Sequence, residues 1–173
     1  TLPTDVSHPD RLVAGVVATV DRALAAAGMA RHELAAAGVG VPGQVDPSSG
    51  TVRMAVNLNL HEPFPLRDAL QNALGAPVTL ENDVRAGTWG AFNWARETEA
   101  INNLAYLSVG TGIAAGLVLD GRLYRGAHGM AGEVGHVILD PAGPRCACGS
   151  YRRLEAFAAG PAIAASAAAA LPV

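Results

Sequence analysis

From Arg11 to Ala27, apolar side chains recur at helical spacing, with Leu12, Val16, Val20 and Leu24 on one face, and Gly28 follows as a C-cap. The chain therefore opens on a helix, after which the period shortens. Ala37 to Val41 is small and β-branched and runs into Pro42-Gly43. Val45 to Val52 encloses the turn cluster Asp46-Pro47-Ser48-Ser49-Gly50, which predicts short strands joined by tight turns. Leu66 to Leu74 returns to the helical pattern and closes at Gly75. Pro77 to Leu80 reads as a buried strand ending at Glu81-Asn82-Asp83, and a helix over Val84 to Ala95 follows.

This alternation of helix, strand, helix and strand predicts an α/β layer structure with a parallel component. From Asn103 the texture becomes all strand: Leu104 to Val109, Ile113 to Leu119 and Arg122 to Tyr124, turning at Gly110-Thr111-Gly112 and Asp120-Gly121. A domain boundary is expected between Glu97 and Asn102, giving regions 1–97 and 98–173. An alanine-rich helix follows Glu155.

Composition narrows the chemistry. Half of the 173 residues are apolar, enough for a real core in one or two modest domains. A net charge of -3 leaves no basic footprint, so no nucleic-acid partner is expected for this segment. The alanine-rich stretch from Ala156 to Val173 carries Gly160, Pro161 and Ser166 and falls short of a membrane span. No leader pattern precedes the first helix, and a reducing, cytoplasmic location is expected. All twelve basic residues are arginine. Without lysine, a Walker A loop and Schiff-base catalysis are both excluded. Cys146 and Cys148, one residue apart, are too close for an easy mutual disulfide and read as a metal half-site or as plain thiols.

Three places carry candidate chemistry. The Gly110-Thr111-Gly112 turn lets backbone N–H groups approach an anion and adds a hydroxyl, although an ordinary hairpin has the same pattern. Asp83, at a strand end before a helix, is either a general base or the N-cap of that helix, and Glu81 and Asn82 bind a ligand or satisfy backbone groups. Glu133 and His136 are three apart and share a face of a helical turn. That spacing serves metal ligation or hydrogen bonding to the vicinal hydroxyls of a sugar. A di-iron bundle would need a second Glu-x-x-His on another long helix, which the chain lacks. His136 with Cys146 and Cys148 offers three zinc donors, where a structural zinc takes four. Asn57, Gly43 and Glu155 are individually weak signals.

Their order along the chain is more specific. Gly40-Val41-Pro42-Gly43, Asn57-Leu58, Glu81-Asn82-Asp83-Val84, Gly110-Thr111-Gly112-Ile113, Gly126-Ala127-His128-Gly129, Ala131-Gly132-Glu133-Val134-Gly135-His136 and Cys146-Ala147-Cys148-Gly149 to Leu154-Glu155 closely resemble the ROK family of sugar kinases and sugar-responsive repressors. The resemblance covers nearly the whole chain. It implies an actin-like ATPase, ribonuclease-H-like α/β fold of two lobes with sugar and ATP in the cleft between them. Residues 1–97 would be the latter part of the first lobe and 98–173 the opening part of the second, both incomplete.

The resemblance also implies roles. Asp83 would activate the sugar hydroxyl. Asn82, Glu133, His136 and Glu155 would hold the sugar, with Asn57 and Gly43 lining the same pocket. Gly110, Thr111 and Gly112 would face the transferred phosphoryl group of ATP, bound with Mg²⁺. His136, Cys146 and Cys148 match three zinc ligands, but Arg153 stands at the fourth position and cannot ligate a metal, so weak or substoichiometric zinc is expected. Arg85 stands where many members carry asparagine. A first phosphate loop, Asp-x-Gly-Gly-Thr, and the glycine-rich adenosine segment have no counterpart here, so this stretch alone is expected to be catalytically inactive. The expected function is an ATP-dependent hexose or N-acetylhexosamine kinase, glucokinase-like and homo-oligomeric as a dimer. The alternative is a sugar-sensing regulator whose DNA-binding domain lies outside the segment.

Overall fold

The computed structural model describes residues 3–140, 142–146 and 149–170. The chain divides into two compact units, Thr1–Ala86 and Gly87–Val173.

The first unit opens on α1 (Pro9–Ala26). The His8 side chain accepts from the Asp10 amide at its start, and Pro9 fills a first-turn position whose N–H has no helical partner. After it come β1 (Ala37–Val41), β2 (Gln44–Asp46), β3 (Thr51–Met54) and α2 (Leu66–Leu74). Gly75 ends α2 in the left-handed conformation, as the sequence predicts. The last strand is β4 (Val78–Asn82), which runs parallel to β1 with Ala37 opposite Val78 and Val41 opposite Asn82. β2 and β3 form an antiparallel hairpin across the Asp46–Gly50 turn. One core serves all of these: Leu12 of α1, Val41, Val45, Val52, Leu66, Leu70, Leu74, Val78 and Leu80 are all buried together. Leu66, Leu70 and Leu74 recur every four residues, so α2 presents a single apolar stripe to that core.

The helix α3 (Asp83–Ala95) begins directly at the end of β4. The division between units falls within it, at Ala86, rather than in the 97–102 segment, because its later turns pack on the strands that follow. Thr88 is fully buried, and a Cβ built on Gly116 would lie 1.8 Å from its hydroxyl, so the helix meets the sheet where a strand residue has no side chain.

That sheet is antiparallel, in the order β5 (Leu104–Val109), β6 (Ile113–Leu119) and β7 (Arg122–Tyr124). The three strands match the sequence reading residue for residue. Two short helices, α4 (Glu155–Ala158) and α5 (Gly160–Ala170), close the unit. No helix among the described residues is long and apolar enough to cross a membrane.

Candidate functional site

In the first unit, the strand end carries three polar residues in a row, and the structure gives each a different task. Glu81 accepts from the buried Arg85 Nε at 2.9 Å and also takes the Asn82 amide at 2.9 Å. Asn82 accepts the Arg85 amide at 3.1 Å through Oδ1, the contact of an N-cap three residues ahead, and donates Nδ2 to the Gly43 carbonyl at 3.2 Å. The cap is therefore Asn82. Asp83 is the first helical residue, and its Oδ1 accepts the adjacent Val84 amide at 2.9 Å, with the side chain exposed.

Gly43 sits in the left-handed region, at φ 90°, and a Cβ there would come 2.3 Å from the Met54 carbonyl oxygen. Only glycine lets this turn lie against β3 and offer its carbonyl to Asn82. Asn57 is exposed in a single turn of 3₁₀ helix, Val56–Leu58, next to that stretch.

The second unit brings together Glu133, His136, Glu155 and the Gly110–Gly112 turn. Glu133 immediately precedes a 3₁₀ turn, Val134–His136, and the His136 imidazole lies between two carboxylates. Its Nε2 is 3.7 Å from Glu133 Oε2, and its Nδ1 is 3.7 Å from Glu155 Oε1. These are electrostatic contacts too long for hydrogen bonds, and Nδ1 is buried with no hydrogen-bond partner among the described residues. The local sequence forces this placement. The Ala115 amide donates to the Gly132 carbonyl at 2.7 Å, and a Cβ on Gly135 would lie 2.1 Å from the Ile113 carbonyl oxygen. Two glycines flanking Glu133 thus let the segment lie directly on β6.

The glycine turn adjoins the same cluster. A Cβ on Gly112 would stand 3.0 Å from Glu155 Oε2, and the Gly160 amide, at the start of α5, donates to the Gly110 carbonyl at 2.8 Å. Gly110 donates to Gly112 at 2.9 Å, whereas the Thr111 and Gly112 amides have no partner among the described residues. The turn therefore holds two backbone donors and an exposed hydroxyl next to Glu155, a set suited to phosphate oxygens.

A ring nitrogen of His136, Cys146 Sγ and a Glu155 oxygen lie within 4.8 Å of one another, a spacing three ligands of one ion could share. Cys146 is buried and its thiol donates to Glu155 Oε1 at 2.8 Å. Cys148, the third predicted zinc donor, lies outside the described residues. Arg153 donates from Nη1 to the His136 carbonyl. Sequence reasoning took Arg153 only as a missing ligand, and it missed Arg85 as the buried partner of Glu81. The four-residue spacing of Glu81 and Arg85 was the available signal for that pair.

A parallel strand pair ending in a carboxylate, and an antiparallel sheet bearing a glycine turn and an acid-imidazole cluster, define an α/β protein of the actin-like ATPase fold. The chain belongs to the ROK family, whose family model matches residues 4–171. It is 43% identical over 121 residues to a xylose repressor of Caldicellulosiruptor bescii, covering 70% of this chain and 30% of that protein. It is 32% identical over 162 residues to a glucokinase of Streptomyces coelicolor, covering 94% of this chain and 49% of that one. Among solved structures, the ROK family glucokinase of Streptomyces griseus in complex with glucose and AMPPNP matches with a TM-score of 0.78 at 32% identity. That match covers 94% of this chain and 49% of the other. The ROK hexokinase of Thermus thermophilus matches with a TM-score of 0.72 at 38% identity, covering 99% and 56%. The chain spans about half the length, or less, of the curated relatives it matches.

Proposed function

We propose that this chain is the sugar-binding and phosphate-facing part of an ATP-dependent ROK sugar kinase that acts on a hexose or an N-acetylhexosamine. The observation that carries this reading is the junction of Gly112 with Glu155, where a Cβ would sit 3.0 Å from the carboxylate. It makes one site of the glycine turn and the Glu133–His136–Glu155 cluster. A protein that only sensed sugar would need the cluster and not the turn.

In this reading Glu133, His136 and Glu155 offer alternating acceptors and donors to vicinal hydroxyls, with Asn82, Asn57 and Gly43 on the sugar side of the first unit. Asp83 takes the proton of the sugar hydroxyl as its oxygen attacks phosphorus. Its exposed carboxylate suits that task because Asn82 relieves it of capping the helix. The Thr111 and Gly112 amides orient phosphate oxygens. When bound, ATP with Mg²⁺ supplies the transferred phosphoryl group.

A second reading, a sugar-responsive regulator, draws on the 43% identity to a xylose repressor. The same cluster would then hold an inducer. The test is sugar-dependent ADP release by the full-length protein across a panel of hexoses and N-acetylhexosamines. Turnover with at least one sugar is expected. Sugar binding by calorimetry without turnover would favour the regulator, and absence of both would overturn both readings.

A further inference from the structure

The loop between His136 and Glu155 is where the family resemblance implies zinc, and Arg153 replaces one of the four donors that the resemblance implies. Arg153, at the fourth position, has five N–H donors and no lone pair. The loop is instead closed by the chain itself. The Leu139 amide donates to the Arg152 carbonyl at 2.8 Å, and the Leu154 amide donates to the Val137 carbonyl at 3.0 Å. Ile138 and Arg153 pair between them as an antiparallel bridge. From that bridge the Arg153 guanidinium reaches back to the His136 carbonyl, directly after the 3₁₀ turn that aims the imidazole.

We propose that Arg153 is a positioning residue that does here what a structural metal would otherwise do. Its fixed positive charge ties the 137–154 loop to the His136 backbone and so holds the imidazole between Glu133 and Glu155, and the site works without zinc. A guanidinium suits this better than an ammonium because its donors are planar and pre-oriented. The same charge disfavours a dication beside it.

The test uses the full-length protein grown with added zinc. Wild type is expected to carry substoichiometric zinc and to keep its sugar KM in EDTA. Arg153→Met should raise the sugar KM about tenfold, with a smaller effect on kcat, as loss of an outer support for a ligating side chain does. Arg153→Lys should recover part of that loss. One firmly held zinc per wild-type chain, or an unchanged KM in Arg153→Met, overturns the proposal. If Arg153→Met fails to fold, Arg153→Lys and the zinc content still decide. The KM arm rests on the sugar-pocket reading and the metal arm does not, so a protein that takes no sugar fails that reading while zinc content judges this one.

Discussion

Glu81 and Arg85 form an ion pair, Nε to Oε1 at 2.9 Å, across the junction where β4 becomes α3, and the arginine side chain is only 4% exposed. Removing Glu81 takes an acceptor away from a charge in a poorly solvated place. Glu81→Ala is expected to lower unfolding free energy by about 3 kcal/mol in urea titrations. Adding Arg85→Met should recover part of the loss, because the buried charge is then gone. A double-variant loss equal to the sum of the Glu81→Ala and Arg85→Met single losses would mean that the pair is not coupled.

The same junction separates folding from chemistry at Asp83. Because Asn82 caps α3 and the Asp83 side chain is exposed, Asp83→Asn should leave the melting temperature nearly unchanged. If the proposed kinase reading holds, it should lower kcat of the full-length protein by roughly 10²–10⁴-fold, the range of a lost general base, while sugar affinity by calorimetry holds. Full turnover in this variant would remove Asp83 from the role of base.

Most of the secondary structure was legible in the sequence, for definite reasons. Leu66, Leu70 and Leu74 repeat at helical spacing before a terminal glycine, and β5, β6 and β7 are bounded by glycine turns, so local chemistry and tertiary burial agree. The candidate site was legible as residue types. Its assembly was not, because the decisive contacts are between distant backbone and side-chain atoms. That Gly116 lies against Thr88, that Gly112 abuts Glu155, and that Arg153 reaches the His136 carbonyl depend on register and loop path. That the cap of α3 is Asn82 and not Asp83 turned on a shift of one residue, which periodicity does not resolve.

Asp46 makes stability depend on pH. The Ser48 hydroxyl, 2.6 Å away, and then Arg53, at 3.0 Å, hold its carboxyl well below the usual carboxylate range, with the Ser49 and Ser48 amides adding to the effect. A folded-state pKa below the unfolded value, about 3.9, means that the stabilisation is fully present above that value and is lost as pH falls through and below it. Asp46→Asn should therefore flatten the decline in stability below about pH 4 relative to wild type. Parallel stability-pH curves for the two proteins would contradict this.

Gly135 tests whether the Glu133–His136 cluster depends on the strand beneath it. It is buried, and a Cβ there would meet the Ile113 carbonyl oxygen at 2.1 Å and its carbonyl carbon at 3.0 Å. Both atoms belong to the backbone of β6, where Ile113 is paired with Val109 of β5, so they cannot yield as a flexible side chain would. The 133–136 segment must move instead, and it carries both Glu133 and His136. Gly135→Ala is expected to cost about 1–3 kcal/mol, the usual penalty of overpacking. It should also weaken sugar binding more than Gly110→Ala does, since a Cβ on Gly110 meets nothing within 4 Å. Comparing the two variants by thermal melting and sugar calorimetry checks both parts. If Gly135→Ala bound sugar as tightly as wild type, the cluster would not owe its geometry to this close approach.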